Sequence, residues 1–143
     1  MFDRWIGKAH FESRRTILES ALRSYKAGDP VATIKTGLTE IEGILSEAHY
    51  ARTGSRAKRL KDLLLFARRE AEAKTGGSDT LFLPAAFGEY LDRYVFANFD
   101  PSGPPVTAGS RHAVGHGAAL PETYTMTRAL QVLLTLDQLA FFT

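Results

Sequence analysis

The chain has 143 residues, a length that suits one domain with a single hydrophobic core. Its 44% hydrophobic and 24% charged residues are typical of a globular protein and exclude a disordered or fibrous chain. The net charge of +2 is too small to indicate nucleic-acid binding by itself, and the lack of cysteine excludes disulfides, thiolate nucleophiles and cysteine zinc sites.

Neither a secretory signal nor a membrane span is predicted. Residues 1–5 contain an acid and are followed by no apolar run, unlike a signal peptide. The most apolar stretch, 129–136, is interrupted by Gln131 and Thr135 and is shorter than the roughly 20 residues that a span needs. We therefore expect a protein of the reducing cytoplasm with no membrane partner.

Two helices are predicted in the first third of the chain. The first stops at Gly28, and the second starts after an Asp29 N-cap with Pro30 at its first position. Gly37 and Gly43 lie inside the second helix, where each costs roughly 1 kcal/mol relative to alanine and so predicts a closely packed neighbour. The apolar faces comprise Ile17, Leu18, Ala21, Leu22 and Tyr25 in the first helix, and Val31, Ile34, Leu38, Ile41, Leu45 and Ala48 in the second.

Three further helices are predicted downstream. The third opens at Ser55, the fourth near Pro84, and the last at Pro121. The run 98–109, with three prolines and two glycines, is predicted to be a loop. The inward residues are Leu60, Leu63, Leu64, Ala67 and Ala71, then Phe87, Leu91, Tyr94 and Val95, and finally Met126, Ala129, Leu130, Leu133, Leu136 and Ala140.

The predicted fold is an all-α bundle. The sequence shows no alternating apolar pattern bounded by tight-turn dipeptides, which half-buried strands would require. We expect four long helices and one shorter element in a single domain that spans 1–143.

Candidate chemistry lies in the segment Ser-Arg-His-Ala-Val-Gly-His-Gly, residues 110–117, between the predicted loop and the last helix. On a regular helix, Arg111 and His116 would project about 140° apart, and His112 and His116 about 40° apart. The two histidines would share a face. Gly115 and Gly117 allow a local break that would bring Arg111 to the same face.

With this segment ahead of the last helix, the sequence resembles the HEPN superfamily, whose helical domains carry an arginine, a polar residue and then a histidine at this place. Arg111, His112, His116 and Gly117 carry the resemblance, and Ser110 stands where relatives commonly have asparagine. The resemblance implies a HEPN-like helical bundle.

The resemblance also implies metal-independent RNA cleavage, without a cofactor, by a homodimer that brings two Arg/His pairs into one cleft. Attack by the ribose 2′-hydroxyl needs a group that exchanges protons near neutral pH and a cation for the charge that builds on phosphorus. We expect acid/base work from His116, phosphate binding from Arg111, and an orienting or second proton-transfer role for His112. A defence or toxin–antitoxin role, with an antitoxin or other partner protein, is implied by the resemblance alone.

Two residues outside the segment are expected to support it. Glu42 borders the buried stripe of the second helix, where it either orients a cleft arginine or histidine or pairs with a surface cation. Glu40 is expected to point further towards solvent. Tyr124, placed in the last helix, is expected to pack or to donate a hydrogen bond at the cleft edge.

A run of basic residues lies between positions 52 and 61. It comprises Arg52, Arg56, Lys58, Arg59 and Lys61. Five cations within ten residues suit an RNA backbone, although such a run also occurs on a solvated helix face.

Two alternatives to the ribonuclease are considered. A zinc site at the two motif histidines is disfavoured by Ala113, where hydrolases need glutamate. The alternative function is a non-catalytic interaction or nucleotide-binding module that mediates dimerisation or assembly.

Overall fold

The computed structural model describes residues 1–75, 84–98, 100 and 110–143. Within these ranges the chain is helical and contains no β-strand, which confirms the predicted all-α bundle. The helices are α1 (Phe2–Ile6), α2 (Ala9–Glu12), α3 (Arg15–Lys26), α4 (Pro30–Thr53), α5 (Leu60–Thr75), α6 (Pro84–Tyr90), α7 (Arg111–Gly115) and α8 (Met126–Phe142). A π-helical turn, Leu91–Val95, continues α6, and a 3₁₀ turn, Pro121–Thr123, precedes α8.

Helix α4 is the centre of the bundle and contacts α2, α3, α5, α7 and α8. Its start follows the sequence signals, because the Asp29 carboxylate accepts a hydrogen bond of 2.9 Å from the backbone N–H of Ala32. Its end is fixed by Gly54, whose φ of 72° lies in the left-handed region that glycine adopts without strain. The helix extends five residues beyond the end of its predicted apolar stripe at Ala48, so it also carries the basic residue Arg52 in its last turn.

The two interior glycines of α4 do have close neighbours, as predicted, but of two different kinds. A Cβ atom on Gly37 would lie 2.7 Å from Cγ1 of Val132 on α8, so this glycine lets the two helices approach. A Cβ atom on Gly43 would lie 2.6 Å from the guanidinium of Arg14, which crosses α4 at this point.

The N-terminal residues are integrated into the core through two short helices that the sequence pattern did not predict. The Trp5 side chain is fully buried, and its Nε1–H donates a 3.0 Å hydrogen bond to the Asp137 carboxylate on α8. Phe11 of α2 is buried beside it, with ring centroids 6.1 Å apart. Trp5 is therefore a core residue.

Several predicted boundaries and exposures are wrong. Helix α5 begins at Leu60 instead of Ser55, and α8 begins at Met126 because Pro121 opens a 3₁₀ turn and Thr125 supplies the N-cap. Some residues expected to face inward lie at the margins of their stripes and are at least 38% exposed: Ile17, Val31, Tyr94, Met126 and Leu130. Nearly all of the predicted loop 98–109 falls outside the described residues. None of the helices in the described ranges is long and apolar enough to cross a bilayer.

Candidate functional site

The motif segment forms a short helix that is fixed at both ends. Ser110 is buried, and its Oγ accepts a 3.3 Å hydrogen bond from the backbone N–H of Ala113, which makes it the N-cap of α7. Ala113 and Val114 are buried and attach the helix to the core. The helix ends at Gly115, and Gly117 turns the chain with a φ of 72°. Ser110 thus positions the motif from beneath.

Arg111, the first residue of α7, pairs with Glu42 on α4. Its Nη1 lies 2.8 Å from Glu42 Oε2, and the two side chains are 29% and 35% exposed. Of the two roles expected for Glu42, the structure therefore shows contact with the motif arginine. Arg111 Nε is buried without a hydrogen-bond partner among the described residues. Because guanidinium has five N–H donors, this arginine keeps donors for an additional anion.

The expectation about Glu40 is wrong. Its side chain is only 13% exposed, less than that of Glu42, and it binds the guanidinium of Arg14. The reason is helical geometry: Glu40 and Glu42 are about 160° apart around α4 and so face different neighbours. Arg14 also binds Glu47 at 2.7 Å, so Glu40 belongs to a separate cluster on the α3 side of α4.

The two motif histidines are one helical turn apart, as predicted from their spacing. The backbone N–H of His116 donates a 2.9 Å hydrogen bond to the carbonyl of His112. His112 is half-buried and His116 is exposed at the end of α7. The helix is regular from Arg111 to Gly115, His116 is its C-cap, and the chain changes direction only at Gly117. Within one protomer, Arg111 therefore begins the helix against α4 while His116 ends it at the surface.

Tyr124 was expected in the last helix, but it lies before that helix, at the C-terminal cap of the 3₁₀ turn. It is half-buried against the core, and Nζ of Lys35 lies 5.8 Å from the centroid of its ring. Lys35 and Glu42 are seven residues apart on α4, which corresponds to roughly 10 Å along the axis. Tyr124 thus lies beside the same face of α4 as Arg111, about two turns away.

The predicted RNA-binding cations cluster at the end of α4 and in the segment that leads to α5. All are exposed, which agrees with the solvated alternative, but Arg56, Lys58 and Arg59 lie between α4 and α5 and not on a helix. Arg56 lies over the ring of Tyr50 at 5.3 Å, and Arg52 is 3.5 Å from Glu70. Arg59 binds Asp62 at 3.0 Å, and this hydrogen bond holds the pKa of the Asp62 carboxyl below its usual value. Lys58 is exposed in the same segment.

The two histidines outside the motif segment have defined partners. His10 Nε2 lies 3.0 Å from Oγ1 of Thr143, and His49 Nδ1 lies 2.9 Å from the carbonyl oxygen of Ser55. No local signal could reveal the first contact, because its partners are 133 residues apart. The short separation between His49 and Ser55 could have been noticed as a helix-end contact.

The described residues contain no group of three or more histidine and acidic side chains arranged to hold a metal ion. Comparison of the chain with protein-family models, with curated proteins and with solved structures finds no match. The functional assignment of this chain consequently rests on its own residues.

Proposed function

We propose that this protein is a metal-independent endoribonuclease of the HEPN type. The observation that carries the proposal is the state of Arg111: one of its nitrogens is held by Glu42 at 2.8 Å, while the side chain stays 29% exposed and keeps further N–H donors. Such a guanidinium is oriented and still able to bind phosphate. The motif histidines lie one turn apart on the same short helix.

In the proposed reaction the ribose 2′-hydroxyl attacks the adjacent phosphorus. One histidine takes the proton of that hydroxyl, and a protonated histidine donates a proton to the departing 5′-oxygen. The products are a 2′,3′-cyclic phosphate and a 5′-hydroxyl end, so no water is consumed. We assign acid/base work to His116 with help from His112, and stabilisation of the charge on phosphorus to Arg111.

The proposal includes a homodimer. Arg111 and His116 project about 140° apart from α7, and the guanidinium is directed at Glu42. A cleft that combines Arg111 of one protomer with His116 of the other would not require the two side chains of a single chain to meet.

A non-catalytic assembly module is the second candidate, and the Arg111–Glu42 pair also favours it. This ion pair joins α7 to α4 and gives Arg111 a structural task without any substrate. Ser110 and the buried residues of α7 would then serve the same purpose of fixing a surface for a partner.

Cleavage of mixed single-stranded RNA in the presence of a chelator tests the proposal. The wild type is expected to leave 2′,3′-cyclic phosphate ends, and Arg111→Ala and His116→Ala to lose about 100-fold or more in rate. Arg23→Ala, which removes an exposed cation from α3, is the matched control and should cleave like the wild type. Circular dichroism checks that each variant is folded. Equal inactivity of all the folded proteins on several RNAs would favour the assembly module.

A further inference from the structure

The positive charge of this protein is concentrated in one region. Residues 52–74, at the end of α4 and along α5, hold eight lysines and arginines against three acids, a net charge of +5. The whole chain carries only +2, so the remainder is net negative. Such segregation creates a local positive field that attracts polyanions even when the total charge is small.

Within this region the end of α4 and α5 enclose a cleft of about 360 Å³. Its volume falls in the range of ordinary ligand sites. Its lining combines polar side chains from both helices with apolar ones from α5. The lining residues include His49, Arg52, Leu65, Phe66 and Arg69.

The charges of the side chains that line the cleft favour binding of an anion. Its two acids are already engaged, Asp62 with Arg59 at 3.0 Å and Glu70 with Arg52 at 3.5 Å. Arg69 is exposed and forms no ion pair or hydrogen bond in the part of the chain that the structure describes. The cleft therefore contains one arginine whose charge no carboxylate balances.

His49 supplies a nitrogen of defined character. The carbonyl oxygen of Ser55 can only accept a hydrogen bond, so His49 Nδ1, at 2.9 Å, must carry the proton and donate it. The ring is held further by an edge-to-face contact with Phe66, at a centroid distance of 5.2 Å. Its Nε2 is the nitrogen left for a ligand that enters the cleft.

Apolar and aromatic groups lie among these cations. Leu65 is 46% exposed at the cleft. Tyr50, 50% exposed on α4, is covered on one face by the guanidinium of Arg56. Cations interleaved with exposed apolar and aromatic side chains are typical of surfaces that bind single-stranded nucleic acid.

The cleft is aligned with the proposed catalytic residues. His49 follows Glu42 by seven residues on α4, so the two lie on the same side of the helix, roughly 10 Å apart along its axis. Arg111 contacts that side at Glu42, and Phe66 contacts it at His49. A strand bound at Arg111 can thus continue along α4 to Arg69.

We propose that the cleft between α4 and α5 binds the phosphate backbone of single-stranded RNA to one side of the cleavage site. Arg69 and Arg52 contact phosphate, His49 Nε2 forms a hydrogen bond with the same nucleotide, and Leu65 contacts its ribose or base. This inference rests on the proposed ribonuclease function for its substrate, yet its binding site is separate from Arg111 and the motif histidines.

The test is fluorescence anisotropy with a labelled, fully 2′-O-methylated RNA, which cannot be cleaved because it lacks the attacking hydroxyl. Arg69→Ala is expected to weaken binding by about five- to tenfold and to lower the slope of log affinity against log salt by about 0.7. Arg52→Ala should have a smaller effect because its charge is shared with Glu70. Arg23→Ala, the same substitution on α3, should bind like the wild type.

Cleavage assays on the same variants separate the two proposals. If RNA is cleaved but Arg69→Ala changes neither KM nor anisotropy by more than about twofold, the cleft inference is overturned and the ribonuclease stands. If the methylated RNA binds in an Arg69-dependent way while no RNA is cleaved, the cleft stands and the catalytic assignment fails. Tighter binding of polyglutamate than of the methylated RNA at equal charge concentration would instead favour an acidic protein partner and overturn the inference.

Discussion

Glu42 both fixes Arg111 and competes for it. A carboxylate 2.8 Å from the guanidinium limits its freedom and occupies one of its donors, while a phosphate would bind the same group. Because both side chains are about one-third exposed, water screens the pair and its contribution to stability is at most about 1 kcal/mol. Removal of the charge should therefore leave the protein folded.

Glu42→Gln is expected to separate binding from catalysis. Loss of the negative charge should strengthen binding of methylated RNA by about two- to threefold, because phosphate no longer competes with a carboxylate. It should lower kcat by about tenfold, because the guanidinium is less firmly oriented. Anisotropy and steady-state cleavage measure the two effects, with Glu47→Gln on the other side of α4 as control. An unchanged kcat in folded Glu42→Gln would show that the negative charge of Glu42 is not needed to position Arg111.

At the scale of elements, the two sides of α4 have different tasks. One side binds Arg14 through Glu40 and Glu47 and so attaches α3 and the N-terminal residues. The other side meets Arg111 at Glu42 and the α5 ring of Phe66 at His49. The helix can serve both because residues about half a turn apart face opposite neighbours.

Helix packing at Gly37 gives a stability prediction. Gly37→Ala places a Cβ atom 2.7 Å from Val132 Cγ1, and Val132 is fully packed in the core. Overpacking costs about 1–3 kcal/mol and the gain in helix propensity about 1 kcal/mol, so a net loss of about 1 kcal/mol is expected in urea unfolding. Gly43→Ala is the comparison variant: its Cβ would displace only the end of the Arg14 side chain, whose ion pairs with Glu40 and Glu47 are partly exposed, so it should change stability less. A Gly37→Ala variant as stable as the wild type would contradict this packing.

The sequence predicted elements whose signals are local and missed those that depend on distant partners. The Asp29 cap, the α4 stripe and the Pro84 start are encoded within a few residues, and the structure confirms them. Helix α1 has no comparable pattern, since Trp5 is fixed by Asp137, 132 residues away. The motif segment was recognisable from its composition. The sequence left open whether Glu42 contacts the motif or a surface cation, because the contact between α7 and α4 depends on tertiary structure.

At the scale of the whole molecule, the N-terminal helices α1 and α2 contact α8 and the residue that follows it. His10 of α2 contacts Thr143 at 3.0 Å, and Arg4 binds Asp137 of α8 at 2.6 Å. Burial, with a smaller contribution from the charge of Lys8, lowers the pKa of His10 below its usual value of 6.5, although Glu47 opposes the shift. The folded protein therefore resists protonation of a ring that takes up a proton readily when unfolded.

Stability is consequently expected to fall as the pH decreases through about 6.5. There the unfolded state binds more protons than the folded state, so protonation favours unfolding. His10→Gln should flatten the dependence of Tm on pH between about 5.5 and 7.5, measured by thermal unfolding. Glu47, whose pKa lies below its usual 4.5 because hydrogen bonds from Ser13 and Arg14 outweigh its burial, titrates outside this window. An unchanged pH slope in His10→Gln would assign the effect to other groups.

The proposed cleft between two protomers can be tested by mixing two inactive variants. Arg111→Ala and His116→Ala should each be inactive alone, but a mixture of the two, allowed to exchange subunits, should recover activity if the cleft joins two protomers. Random exchange makes about half of the dimers mixed, and each of these retains one Arg111 and one His116 on different chains. Light scattering verifies that the mixture is dimeric at the assay concentration. Exchange without recovery would contradict a cleft that needs only one Arg111 and one His116 from different chains.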